Sequence, residues 1–236
     1  MAVSPRAEAV VLAVAGLARE ARIAAGPGVE ALQAGGRPDR LRALLDGRSV
    51  DGVRAIVSFG IAGGLDPALV PGDVVVAAGI WTESGAGPRR LPASEPIIAG
   101  FRARLSGLGS RVVVADLAGV EAAVMTPEAK AVLRARTGAA AVDMESQVAA
   151  AYAAAHDLPF AALRVVCDPA ERALPAFAAK ALKPNGDPDI GAVLGALVRR
   201  EAGIGALVRL ARDSGEAFRS LGRARALLGL ALGVDA

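Results

Sequence analysis

Aromatic residues make up only 3% of this 236-residue chain, which has one cysteine and one histidine. Cys167 alone cannot supply a disulfide framework or a cysteine-built zinc site. His156 alone removes most metal sites and makes a Ser-His-Asp triad a poor fit. Long apolar runs are missing too. No uncharged run reaches the ~18 residues of a membrane-spanning helix; Ala55–Leu65 is about as long as they get. Met1–Arg6 lacks a charged leader followed by an apolar core and a cleavage site, so a cytoplasmic location is expected. What is present is Ala, Val and Leu. They dominate the 53% hydrophobic content, and with 22% charged residues the composition is that of a closely packed globular chain rather than a disordered one. The length suits one sizeable domain with a buried core.

The net charge of +3 is unevenly placed. Residues 191–236 hold Arg199, Arg200, Arg209, Arg212, Arg219, Arg223 and Arg225 against Glu201, Asp213, Glu216 and Asp235, so the whole excess lies there. A solvated helix face explains this most simply. Weak attraction to anionic lipid headgroups is the sharper alternative. Nucleic acid is not expected as a partner, because no aromatics interleave with the arginines.

Short apolar runs alternate with amphipathic ones. Val10–Val14, Ala55–Phe59, Val74–Ala78, Val112–Ala115 and Phe160–Val166 read as strands buried on both faces. Arg37–Leu45 and Pro96–Leu105 read as helices. Thr126-Pro127-Glu128 opens another with a cap, a proline and an early acid, and Gly138 closes it. A further helix follows Asp143, with the small-residue tract Val148–Ala155 suited to close packing. The alternation predicts an α/β fold. Beyond Asp168, Pro169, Pro175, Pro184 and Pro188 mark a loop-rich stretch, and from Ile190 the pattern is helical. Without a repeat or a dividing linker, 1–236 reads as one domain with 190–236 as a helical C-terminal extension.

Three motifs carry candidate chemistry. Ser58-Phe59-Gly60-Ile61-Ala62-Gly63-Gly64-Leu65 follows a strand. Its glycines allow a sharp turn and close approach to a ligand, with N–H groups free for an anion or a sugar oxygen. No lysine follows, so it is not a Walker loop, and taken alone a plain tight turn is the favoured explanation. Val142-Asp143-Met144-Glu145-Ser146 stands at a strand-to-helix junction. Capping accounts for it, but a carboxylate there is also able to accept both hydroxyls of a ribose over a soft methionine surface. In Phe160–Asp168 the buried-strand arginine Arg164 needs a partner. Asp168 falls just past the strand's carboxyl end, where open α/β sheets bind ligands.

In this order and spacing GIAGGL with a following PGDVVV, VDMES and RVVCD resemble the purine nucleoside phosphorylase and methylthioadenosine/S-adenosylhomocysteine nucleosidase superfamily, from about Val10 to Asp168. The stretch Asp168–Pro175, the stretch Asp189–Leu194 and the Arg-rich end resemble its hopanoid-associated phosphorylase branch. The resemblance implies a three-layer α/β/α sandwich around a mixed sheet, a homodimer or larger homo-oligomer, and cleavage of the N-glycosidic bond of a purine nucleoside. No metal or organic cofactor is implied, and phosphate is a candidate co-substrate. It gives Asp168 the role of the acid that protonates the departing purine at N7. Glu145 is given the ribose hydroxyls, with Met144 beside it, and Gly60, Ile61, Ala62, Gly63 and Gly64 the surroundings of sugar and nucleophile.

Two departures concern the nucleophile. Ile61 stands where many members carry Ser or Thr. The water-positioning Glu falls in register at Ala21, with Glu20 one position away. Arg22 and Arg54 are candidate phosphate donors, and Arg22 tips the balance slightly to phosphate. The leading expectation is release of adenine from the lipid-linked nucleoside adenosylhopane. The alternatives are a nucleosidase for methylthioadenosine or S-adenosylhomocysteine, and a non-catalytic nucleoside-binding protein.

Overall fold

The computed structural model describes residues 9–84, 87–174 and 204–234. The strands are β1 (Val10–Ala15), β2 (Val29–Gln33), β3 (Val53–Gly64), β4 (Val74–Ser84), β5 (Gly87–Pro92), β6 (Val112–Gly119), β7 (Ala141–Asp143) and β8 (Phe160–Asp168). The helices are α1 (Ala18–Ala24), α2 (Pro38–Asp46), α3 (Glu95–Arg104), α4 (Pro127–Thr137), α5 (Ser146–Ala155) and α6 (Ile204–Leu228).

All five expected strands are present, and three more join them. β2 is half-buried apart from the exposed Glu30, β5 pairs antiparallel with β4 despite its prolines and arginines, and β7 spans only three residues. The sheet is mixed and runs β2-β1-β3-β7-β6-β4-β5, while β8 pairs with both β3 and β4. β8 is parallel to β3 and antiparallel to β4, and β7 bridges β3 and β6, so the pairings close a ring. Helices α1 and α3 both contact α6, α2 contacts α5, and the helices flank the sheet. This is the expected mixed central sheet with flanking helices.

Local chemistry explains the helix ends. Thr126 accepts a hydrogen bond from the Ala129 N–H at 3.2 Å, Pro127 starts α4, and Gly138 ends it in the left-handed region (φ 68°). The C-terminal helix α6 is real, and it is not a free amphipathic face. Ala217, Phe218, Leu221, Ala224 and Leu228 are buried in the core, and the helix packs on β8. Arg225 donates to the Ala24 carbonyl at 2.8 Å and the Gly229 carbonyl at 2.6 Å. Arg19 lies 4.1 Å over the Phe218 ring. Leu194, Leu197, Pro175, Pro184 and Pro188 lie outside the described residues. Among the described residues no helix is long and apolar enough to cross a membrane.

Candidate active site

The carboxyl ends of β1, β3, β7 and β8 meet around a cavity of about 220 Å³. Its wall includes Glu20, Ile61, Ala62, Gly63, Asp143, Met144, Glu145, Cys167 and Asp168, with Leu17, Val120, Val124 and Leu174 as apolar neighbours. Of the residues expected of a site, Asp168, Glu145, Met144, Ile61, Ala62, Gly63 and Glu20 come together on its wall, whereas Gly60, Gly64 and Arg22 do not line it. Arg22 is exposed and its Nε donates to Ala18 within its own helix at 3.3 Å. It does not line the cavity, and neither does Arg54, whose Nε donates to Ala9 at 2.8 Å.

The glycine motif is not the turn expected from its sequence. Gly60–Gly64 is the last part of β3, extended and paired with β8 and β7. Its glycines provide room. A Cβ on Gly60 would run into the Glu20 carboxylate and come 2.7 Å from Arg164 Nη1. Nor is the Ile61 N–H free for a ligand, because it donates to Glu20 Oε1 at 2.7 Å.

Glu20 occupies the third position of α1 and turns back so that Oε2 accepts the Leu17 N–H at 2.7 Å. This buries it at 2% exposure. Burial pushes its carboxyl above the usual range, against the pull of Arg164 and the backbone donors. Ala21, which stands in family register, does not line the cavity.

Arg164 is the hub beneath this end. It is wholly buried. Nη2 pairs with Asp143 Oδ2 at 2.6 Å and Glu145 Oε2 at 3.5 Å, and donates to Ser58 Oγ at 2.5 Å. Nη1 donates to the Ile61 carbonyl at 3.3 Å. Asp143 also caps α5: it accepts the Ser146 hydroxyl at 2.5 Å and the Ser146 N–H at 3.3 Å. The capping reading of VDMES thus holds for Asp143, which leaves Glu145 directed into the cavity. Glu145 is 5% exposed. Burial, with Asp143 and Glu20 nearby, outweighs Arg164 and pushes its carboxyl up to about 8.

Asp168 lies at the other end, 4% exposed. Its Oδ2 accepts from Lys130 Nζ at 2.5 Å, and its Oδ1 accepts from the Cys167 thiol at 3.1 Å. Burial pushes the carboxyl above its usual range despite the opposing ammonium. Burial likewise lifts the Cys167 thiol well above its ordinary value, so the thiol stays protonated. Sequence reasoning missed Lys130 and the hub role of Asp143. Lys130 reads as an ordinary helix lysine, and its one signal is scarcity: the chain has 24 Arg and only 3 Lys. Among the described residues no group of His, Cys, Asp and Glu is arranged to hold a metal ion.

The family profile described as the Phosphorylase superfamily matches residues 12–198. The chain belongs to the phosphorylase superfamily. It is accordingly an enzyme of the nucleoside phosphorylase or nucleosidase kind. Solved structures of similar fold include 5′-methylthioadenosine/S-adenosylhomocysteine nucleosidase from Neisseria meningitidis in complex with methylthio-immucillin-A. That structure has 15% identity and a TM-score of 0.69, covering 93% of this chain and 98% of that one. The Helicobacter pylori enzyme of the same name, with butyl-thio-DADMe-Immucillin-A, has 14% identity and a TM-score of 0.66, covering 91% and 96%. Futalosine hydrolase of Helicobacter pylori has 14% identity and a TM-score of 0.65, covering 92% and 97%. At such identities the likeness is one of fold. A search of the curated proteins found no match.

Proposed function

We propose that this phosphorylase-superfamily member hydrolyses the N-glycosidic bond of an adenine nucleoside. The observation that carries the reading is one cavity with buried Glu145 at one end and buried Asp168 at the other. As the bond breaks, positive charge grows on the ribose and electrons flow into the purine. Asp168, its carboxyl raised above the usual range by burial, gives a proton to N7 so that the base leaves neutral. Glu145 accepts the ribose hydroxyls, in its ionised form sets negative charge beside the forming cation, and faces the sugar with Met144.

Water is favoured over phosphate, against the slight preference that Arg22 gave. None of the described residues lining the cavity is basic. At the sugar end Arg164 is already engaged by Asp143, Glu145, Ser58 and the Ile61 carbonyl, so it is not free to hold a phosphate anion. Glu20 supplies the water-positioning carboxylate from the position adjacent to the family register. Burial raises its carboxyl above the usual range, which makes it a stronger base than an exposed glutamate.

The finer reading is that the nucleoside carries a hydrocarbon on its 5′ side, as adenosylhopane does. The apolar side chains Leu17, Val120, Val124 and Leu174 at the cavity and the exposed Val208, Leu227 and Leu230 support it. The names of the structural neighbours favour methylthioadenosine or S-adenosylhomocysteine instead. A homo-oligomer belongs to the proposal as the family's usual state. The test is release of free adenine from adenosylhopane, methylthioadenosine and S-adenosylhomocysteine, with and without phosphate. Adenine release independent of phosphate, with free pentose as co-product, is expected. A phosphate requirement with pentose 1-phosphate as product would overturn hydrolysis. No release from any adenine nucleoside would leave a binding protein.

A further inference from the structure

Lys130 is a buried charge that the reaction as described does not use. It lies one turn into α4, four residues after the cap Thr126, and is 0% exposed. Its Nζ donates to Asp168 Oδ2 at 2.5 Å, to the Pro169 carbonyl at 2.9 Å and to the Arg172 carbonyl at 3.3 Å. An ammonium has three donors, so every one is engaged. Burying a charge is costly, and a buried ion pair replaced as a whole by apolar residues often loses no stability. Lys130 does not line the cavity, so its route to the chemistry runs through Asp168.

We propose that Lys130 is a positioning residue for the acid: its ammonium holds Oδ2, directs Oδ1 towards the purine, and stabilises the carboxylate that remains. The proposal rests on Asp168 being the acid. Before the step Asp168 carries its proton on Oδ1 and Lys130 is an ammonium. The C1′–N9 bond breaks, its electron pair enters the purine, and the Oδ1 proton moves to N7. Asp168 is then a carboxylate against an ammonium, and Lys130 has lost no proton. Water adds its oxygen to C1′, and the proton it releases restores Asp168 through solvent. The ion pair is complete only after the proton has gone. Its attraction therefore favours transfer more than it favours the resting state.

Other groups face Asp168 as well. Cys167 precedes it on β8, and Arg172 follows in the next loop. Arg209 and Asp213 of α6 share a cavity with it on its other side, and Asp213 pairs with Arg172. β3 contributes Gly63 and Gly64, which do not titrate. Of these, Lys130 forms the ion pair with the carboxylate, at 2.5 Å.

The test compares Lys130→Met and Lys130→Gln with the wild type across pH on two substrates. One is the adenine nucleoside that the wild type turns over best, and the other is 4-nitrophenyl β-ribofuranoside. Nitrophenolate leaves without protonation, so the second substrate reads the fold and sugar site alone. The adenine nucleoside should lose roughly 10- to 100-fold in kcat/KM, the lower part of what acid catalysis supplies, while the nitrophenyl riboside changes little. The alkaline limb of the adenine profile, where Asp168 loses its proton, should move up by roughly one pH unit once the cation is gone. Equal losses on both substrates, an unmoved limb, or unchanged adenine turnover would each overturn the proposal. Lys130→Gln keeps donors for the Pro169 and Arg172 carbonyls, so the same expectations hold for it should the Met variant not fold. Asp168→Asn run alongside separates the two readings. If it keeps adenine turnover, the acid assignment fails; if it alone loses turnover, only the role of Lys130 fails.

Discussion

The two ends of the cavity handle buried charge in opposite ways. At the sugar end one guanidinium, Arg164, is shared by Asp143 and Glu145, with Glu20 close enough to feel it. Carboxylates are in excess there, and Glu145 is lifted to about 8. At the base end one ammonium faces one carboxylate, Lys130 against Asp168. Carboxyl groups, negative once ionised, therefore gather where a ribosyl cation would form, and positive charge backs the group that must give up a proton. The difference maps the charge separation of a breaking glycosidic bond onto fixed side chains.

The strongest break of this comparison is at the base end. Asp168→Asn keeps shape and removes the proton, and adenine-nucleoside turnover should fall by about 10²–10⁴-fold with the fold retained. Steady-state kinetics beside circular dichroism checks it; near-normal turnover would remove Asp168 as the acid.

At the sugar end Glu145→Gln should lower turnover by roughly 10²-fold and raise KM, because charge and an acceptor are lost together. A 2′,3′-dideoxynucleoside, poor for the wild type, should lose much less. Equal falls for both nucleosides would argue against hydroxyl recognition by Glu145.

The same variant sharpens the contrast in stability. Glu145 is raised from 4.5 to about 8 in the fold, so the unfolded chain gives up this proton first as pH rises. The native state's advantage from this group is intact below pH 4.5 and drains away between there and pH 8. Glu145→Gln should therefore match wild-type stability near pH 4.5 and exceed it by about 1–3 kcal/mol above pH 8. Thermal melts at pH 5 and pH 9 measure it, and a variant less stable at pH 9 would contradict the cause given.

The smallest effect concerns α6. Its leucines are divided: Leu221 and Leu228 complete the core, while Leu227 is exposed. Truncation at Asp213 would thus remove core side chains, and charge reversal is the cleaner test. Arg209 and Arg212 are exposed, and each could contribute roughly 1 kcal/mol at an anionic surface. Weak, salt-sensitive co-sedimentation with anionic liposomes, reduced by Arg209→Glu with Arg212→Glu, is expected. No binding at low salt would leave α6 purely structural.

Much of the site was legible because its motifs lie at strand ends, where residue type and position jointly restrict the possibilities. Asp168 at the end of β8 and Glu145 just after β7 are such cases. Gly60 was legible as a site residue but for the wrong reason: sequence cannot tell a glycine that turns from one that makes room for Glu20. The register of Glu20 depended on how α1 starts, which a single hydrogen bond to Leu17 decides. Lys130 escaped because burial of a helix lysine depends on what packs over it, here the segment after β8. Among strands, β7 is too short for periodicity, and β5 carries the prolines and arginines that normally argue against a strand.

The central claim is that the two ends do different electrostatic work, and changing the leaving group tests it most directly. Asp168→Asn and Glu145→Gln are each assayed on an adenine nucleoside and on 4-nitrophenyl β-ribofuranoside. Asp168→Asn should lose adenine release while largely sparing nitrophenol release. Glu145→Gln should lose both, since both leaving groups depart from the same ribosyl cation. Parallel losses in the two variants, or nitrophenol release that falls with Asp168→Asn as far as adenine release does, would contradict the account.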